Sequence, residues 1–233
     1  MKTLPRILDP HAVPVEGTDA HLEPISSARL TPAALRARFA QAGSWQPDLI
    51  GDGSRFGARQ PSRAAVLVAL VEREDGLGVL LTRRTDHLRD HAGQVSFPGG
   101  RSEPYDADAA ATALREAEEE VGLPRAQVEV IGLLPDYTTV TSFIVTPVVA
   151  LVRPPLTLAL DAFEVAEAFE VPLGWLMTPA HHRHHVFEHE GERRRFLSMP
   201  WRLSGADGAL REHFIWGATA AMLRNLYGFL RAA

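Results

Sequence analysis

Ala64 to Val71 is an unbroken apolar run of strand length. A strand with one wet face alternates apolar and polar residues, so a strand apolar at every position is covered on both faces. The chain must therefore set a layer of structure on each side of this run. Around it the pattern predicts further strands at Val79–Thr82, Gln94–Phe97, Val128–Leu134, Phe143–Val152 and Ala166–Val171, and two Arg- and His-rich strands over about 184–203. Helices are expected over Asp106–Val121 and Phe214–Leu230, the latter with Ile215, Thr219, Met222, Leu226, Phe229 and Leu230 at helical spacing. Thr31-Pro32 reads as an N-cap followed by proline at the first helical position, opening a helix that closes at Gly43. Pro172–Met177 is a short turn or helix, and Pro98-Gly99-Gly100 reads as a strand stop. The first ~25 residues, with Pro5, Pro10, Pro14 and Pro24, form a loosely packed arm, and 44–62 form a long loop. The fold class is α+β, a mixed sheet between helices. Residues 1–61 form an arm, helix and loop, and 62–233 form the main domain.

Composition removes several function classes. With 45% hydrophobic and 23% charged residues the 233-residue chain is ordinary globular material. A net charge of −5 supplies no basic field for nucleic acid. The absence of cysteine excludes disulfides and thiolate chemistry. No apolar run approaches the ~20 residues that span a bilayer, and the first 30 residues lack a signal-peptide pattern. The expected location is therefore cytoplasmic, away from membrane.

Chemistry is concentrated at Arg115-Glu116-Ala117-Glu118-Glu119-Glu120-Val121-Gly122-Leu123. Like charges at i,i+4 destabilise a helix, so this crowding points to a cation. Hard divalent ions bind carboxylates together with substrate phosphates. At about 100° per residue, Ala110, Ala113, Leu114, Ala117 and Val121 share a core face. Glu116, Glu119 and Glu120 share a different arc, and Glu118 points elsewhere as a solvated bystander. Arg115 can fold back to orient one of these carboxylates.

These residues resemble the Nudix hydrolase box, whose core reads R-E-U-x-E-E-x-G-U with U aliphatic; Arg115, Glu116, Ala117, Glu119, Glu120, Gly122 and Leu123 fit it. The longer box asks for a glycine and an acid at spacings that fall on Arg101 and Ala107. Here Gly100 and the acids Asp106 and Asp108 are the nearest matches, which a one-residue loop insertion explains. Upstream, Leu80-Leu81-Thr82-Arg83-Arg84-Thr85, Arg89, Gly93 and Phe97-Pro98-Gly99-Gly100 are similar to the added signature of the coenzyme A pyrophosphatase branch, with Thr85 where Ser or Ala is usual.

The resemblance implies a Nudix-like fold and Mg2+- or Mn2+-dependent cleavage of coenzyme A to 3′,5′-ADP and 4′-phosphopantetheine. It assigns Glu116 and Glu120 to the metal, and Glu119 to the metal or to the role of general base. Arg115 joins the catalytic set, and Arg84, Arg89, Gly99 and Gly100 bind substrate. Glu164, Glu167 and Glu170 are further candidates for the base. Other readings are a pyrophosphatase for ADP-ribose, NADH or oxidised nucleotides, and a nucleotide-sensing module that does not cleave. His181, His182, His184 and His185 lack metal-ligand spacing and read as an exposed loop and strand. The four tryptophans default to core. The arm and first helix either cover the sheet or build a homodimer contact.

Overall fold

The computed structural model describes residues 7, 9–41, 45–52, 61–87, 92–189, 191–204 and 208–232. In chain order its strands are β1 (Val15–Thr18), β2 (Ser62–Arg73), β3 (Gly76–Arg84), β4 (Val95–Ser96), β5 (Gly99–Arg101), β6 (Val128–Leu133), β7 (Tyr137–Thr138), β8 (Phe143–Val152), β9 (Val165–Pro172), β10 (Arg183–His189), β11 (Glu192–Ser204) and β12 (Leu210–Trp216). The helices are α1 (Pro32–Ala40), α2 (Ala109–Val121), α3 (Leu173–Leu176) and α4 (Gly217–Arg231).

The expected α+β layering is present. A mixed sheet runs β4-β3-β2-β8-β6, with β5 also paired to β2, β7 to β8 and β9 to β3. At its centre β2 lies parallel to β8, from Ser62 opposite Phe143 to Val71 opposite Val152. The apolar run in β2 is divided between two cores. Ala65, Leu67, Ala69 and Val71 pack with Ala113, Ala117 and Val121 of α2. Val68 and Leu70 face the other way, into a larger core holding Leu35 and Phe39 of α1 and Met222, Leu226 and Phe229 of α4. Three small residues, Ala65, Ala113 and Ala117, are at most 1% exposed, so helix and sheet approach closely here.

Each end of α2 is fixed by local chemistry. The Asp108 side chain caps the N-terminus by accepting from Ala111 N–H at 2.8 Å. Gly122 ends the helix at φ +67°, the left-handed cap conformation that favours glycine.

Four expectations are corrected. Phe214–Trp216 belong to β12, and the closing helix begins only at Gly217. Ile215 is wholly buried as a strand residue, which is why its apolar character fitted a helical spacing by coincidence. Gly99 and Gly100 do not simply stop a strand, because they pair with Ala65 and Val66 of β2. The N-terminal arm is docked: β1 adds an edge to a second sheet of order β1-β10-β11-β12, tied by Asp19 N–H to the His182 carbonyl at 3.2 Å. The first helix begins as expected, with the Thr31 hydroxyl accepting from Ala34 N–H, but it ends at Ala40, capped by Gln41. Gly43 and Arg89 lie outside the described residues.

Leu35 is fully buried in the core shared by α1, α4 and the main sheet. Leu35→Ala should cost about 2–5 kcal/mol. Denaturant unfolding followed by both far-UV signal and tryptophan fluorescence should keep a single transition, as expected if α1 unfolds with the sheet.

Candidate functional site

The site grows from the packing of α2 against β5. With Ala113, Ala117 and Val121 turned to the sheet, Glu116 and Glu120 fall beside Gly99 and Gly100. A Cβ on Gly100 would stand 2.5 Å from Glu116 Oε2, and one on Gly99 would stand 2.5 Å from the Ala65 carbonyl oxygen. Side chains are excluded at both positions because a carboxylate and a strand occupy the space.

Glu120 is only 6% exposed. Its Oε2 accepts from Gly99 N–H at 3.1 Å, and Arg84 Nη1 lies 4.0 Å from Oε1. Burial pushes its carboxyl up to about 7, the charges of Glu116 and Glu164 add to the rise, and Gly99 and Arg84 oppose it. Glu116 is raised as well, first by burial, with Arg115 opposing and Glu119 and Glu164 reinforcing. Two neighbouring carboxylates are thus held where ionisation is costly, an arrangement that a cation would relieve.

Arg115 organises the cluster. Its guanidinium donates to both oxygens of Asp106, from Nε at 3.1 Å and Nη2 at 2.9 Å. Nη1 reaches Glu116 at 2.8 Å and Glu119 at 2.9 Å, and Nη2 also reaches the Arg101 carbonyl at 3.0 Å. The paired guanidinium, with the Glu103 N–H, holds Asp106 well below the usual carboxylate range. Asp106 was no more than a near miss to the motif spacing; the structure makes it the anchor of Arg115, while Asp108 serves as helix cap. The signal that could have found it is the one-residue shift itself: an inserted loop residue moves the acid without removing it.

Other acids sort by their partners. Glu118 pairs with Arg125 at 2.9 Å with both side chains about half exposed, as expected of a bystander. Glu170 binds Arg73 through two contacts, and Glu167 lies 3.2 Å from His213 and 3.8 Å from Arg83. Glu164 is the member of this trio whose charge acts on both Glu116 and Glu120. Its loop is stitched in place: Asp161 N–H donates to the Glu120 carbonyl at 2.9 Å, and Thr85 N–H donates to the Glu164 carbonyl at 3.0 Å. The Thr85 hydroxyl is buried and donates to the Phe163 carbonyl at 2.8 Å.

Arg84 points toward Glu120, and its Nε is buried without a hydrogen-bond partner among the described residues. Arg83 turns to Asp86 and Glu167 instead. Beside Arg84, Gly99 and Gly100 opens a cavity of about 320 Å³, whose other lining includes Val66, Phe97, Phe143, Arg194 and Trp216.

Of the four histidines read as exposed, His184 is exposed and His181 partly so, whereas His182 and His185 depart from that reading. His185 is buried because β10 lies between β1 and β11 and one face of it is covered, and His182, just before β10, is buried with its Nε2 2.7 Å from the Leu176 carbonyl. His185 contacts the Val13 carbonyl and the Ser198 hydroxyl, and His184 contacts Asp19 at 2.8 Å. Among the described residues no three His, Asp or Glu side chains converge in ligand geometry. Glu116 and Glu120 therefore stand as a pair, with Glu119 drawn to Arg115.

The NUDIX domain profile matches residues 61–190. The chain belongs to the Nudix hydrolase family. It is 44% identical over 165 residues to NudL of Escherichia coli K12, an uncharacterized Nudix hydrolase, covering 70% of this chain and 80% of that one. The NudL of Shigella boydii serotype 18 is 43% identical over the same length and the same shares of each chain. Among solved structures, a Caenorhabditis elegans Ap4A hydrolase binary complex aligns with TM-score 0.42 and 21% identity, over 51% of this chain and 85% of that chain. RenU, a Nudix hydrolase of Mycobacterium smegmatis, aligns with TM-score 0.42 and 23% identity, over 49% and 73%. A Nudix hydrolase acts on a pyrophosphate substrate and generally uses a divalent metal. Among the described residues no helix is long and apolar enough to cross a membrane.

Burial of Glu120 leaves a measurable mark on stability. Its folded-state pKa of about 7 lies above the unfolded value of 4.5. Between those values the folded chain keeps a proton that the unfolded chain has released. The contribution of Glu120 to stability therefore falls as pH rises through that window and is lowest above it. Glu120→Gln should stabilise the metal-free Nudix hydrolase at pH 8 by up to about 3 kcal/mol, and the gain should vanish near pH 4. Urea unfolding of both proteins across this range in chelator measures it.

Proposed function

We propose that the protein hydrolyses the pyrophosphate bond of coenzyme A or its derivatives, yielding 3′,5′-ADP and 4′-phosphopantetheine. The observation that carries this reading is where the upstream signature falls. Arg84, Gly99 and Gly100 touch or adjoin Glu116 and Glu120 and also line the cavity. The residues that resemble the coenzyme A branch thus sit between the carboxylates and the space beside them. The departure at Thr85 is accommodated by its buried hydrogen bond to the loop of Glu164.

The donor set fits Mg2+ or Mn2+: two costly carboxylates on one turn of α2, to be completed by water and substrate phosphate. Glu116 and Glu120 would hold the ion, and Glu119 is the third carboxylate of the set. Bound there, the metal supplies charge neutralisation at the pyrophosphate and orientation of a water nucleophile. The chain's own residues do the rest. Gly99 and Gly100 let backbone approach the phosphates. Arg84, with its unpartnered Nε, offers a charge-assisted bond to a phosphate oxygen. Arg115 keeps Glu116 and Glu119 in register. Glu164 accepts the proton of the attacking water, a role favoured by its effect on both Glu116 and Glu120 and by the pinning of its loop.

Purified protein incubated with coenzyme A, ADP-ribose, NADH and 8-oxo-dGTP, with and without Mg2+, should release 3′,5′-ADP from coenzyme A only with metal. Turnover of another compound with none of coenzyme A would overturn the substrate assignment, and binding without any turnover would support the sensing alternative. Glu120→Gln should lower turnover at least ~100-fold with the fold intact. Glu164→Gln should lower kcat by about 100-fold without moving the Mg2+ half-saturation point. A shifted metal requirement would instead make Glu164 a ligand.

A further inference from the structure

The cavity is built from two parts of the chain with different standing. Val66, Phe97 and Val145 in its lining fall within residues 61–190, the stretch that matches the NUDIX domain. Arg194, Trp216, Ala218 and Met222 also line it, and all fall outside that stretch. The second sheet and α4 therefore close a space that the matched stretch alone leaves open.

Charge and polarity restrict what enters. Arg194 is already paired with Asp52, another lining residue, at 3.4 Å, and both side chains are 11% exposed. That part of the wall is neutral overall, and the Asp52 carboxylate opposes a phosphate dianion. Two further cations, Arg84 and Arg101, line the end of the cavity that adjoins Gly99, Gly100 and Glu120, where the pyrophosphate itself would lie. Away from that end Thr139 and Thr141 add uncharged hydroxyls, and the lining is largely apolar, including Val95, Phe143 and Met222. Moving a charged group into such a space without pairing is costly, whereas an uncharged chain with a few amides or hydroxyls meets both its apolar and polar needs.

We propose that this cavity receives the uncharged amide-bearing arm on one side of the scissile pyrophosphate, and that the phosphate-bearing nucleoside stays outside it. The inference rests on the coenzyme A reading, in which that arm is the pantetheine half. Gly99 and Gly100 line the cavity and also abut Glu116 and Glu120, so an arm lying there continues directly from the carboxylate cluster. Residues of β11, β12 and α4 then set how long or bulky an arm, or an acyl group on it, the enzyme accepts.

Two substitutions narrow the cavity without touching the carboxylates: Ala218→Trp in the first turn of α4 and Val140→Trp in the partly exposed 139–142 loop, the second included in case the first disturbs folding. Binding of 4′-phosphopantetheine and of 3′,5′-ADP to each protein is measured by calorimetry with Mg2+, alongside KM and kcat for coenzyme A. The expected result is at least tenfold weaker 4′-phosphopantetheine binding and a raised KM, with 3′,5′-ADP binding unchanged. Selective loss of 3′,5′-ADP binding would place the nucleoside in the cavity and overturn the proposal. So would unchanged binding of both products to both folded variants. If the unaltered protein does not hydrolyse coenzyme A, it is the substrate reading that fails. The cavity is then tested with the pyrophosphate that is turned over, and an unchanged KM in both variants overturns its role.

Discussion

Arg115 bonds Asp106, Glu116, Glu119 and the Arg101 backbone at once, and the order of the carboxylate cluster depends on that one guanidinium. Its planar fork suits two-point contact with Asp106 while leaving donors for Glu116 and Glu119. A lysine could not hold this geometry, because its single ammonium offers no fixed plane. The end of β5, the loop before α2 and the acidic turn are therefore joined through one side chain. Glu120 is not in this set. It is held from the other direction, by Gly99 N–H and the more distant Arg84, so the two costly carboxylates are positioned by different parts of the fold.

That arrangement works against stability. Glu120 is buried beside the partly buried Glu116, whose charge raises the proton affinity of Glu120, and Glu164 raises that of both. A protein selected for stability alone would place apolar residues or a compensating cation here. The cost is carried by packing on the opposite side of the same helix, where Ala113, Ala117 and Val121 are sealed against the sheet. The helix thus has one face that holds it down and one face held in a state ready for a cation.

Much of this was legible in the sequence because it depends on local periodicity. The apolar run of β2 required two covered faces, and the helical arc separated Glu116, Glu119 and Glu120 from Glu118. The structure agrees on both points, with Glu118 facing Arg125 at the surface. What was not legible depends on distant contacts. Asp106 acquires its meaning only from the fold-back of Arg115, nine residues on. Ile215 and Phe214 carry the apolar spacing of a helix, yet β11 recruits them into a strand. The arm reads as loose because β10, with which β1 pairs, lies far along the chain. His182 and His185 read as exposed for the same reason, since the segments that cover them come from elsewhere.

The parallel pairing of β2 with β8 also bears on how the chain reaches this state. Between those strands lie β3, β4, β5, α2, β6 and β7, so the acidic turn, both glycines and Arg84 are enclosed in one long crossover. Such non-local pairing must close a large loop before it is rewarded, which slows folding relative to hairpins and helices. A chain emerging from the ribosome can form the β2–β3 hairpin early, but it cannot seat α2 between its neighbours until residue 152 is available. The carboxylates thus stay hydrated in the early chain, and the cost of burying them is met only once the sheet that covers them has closed.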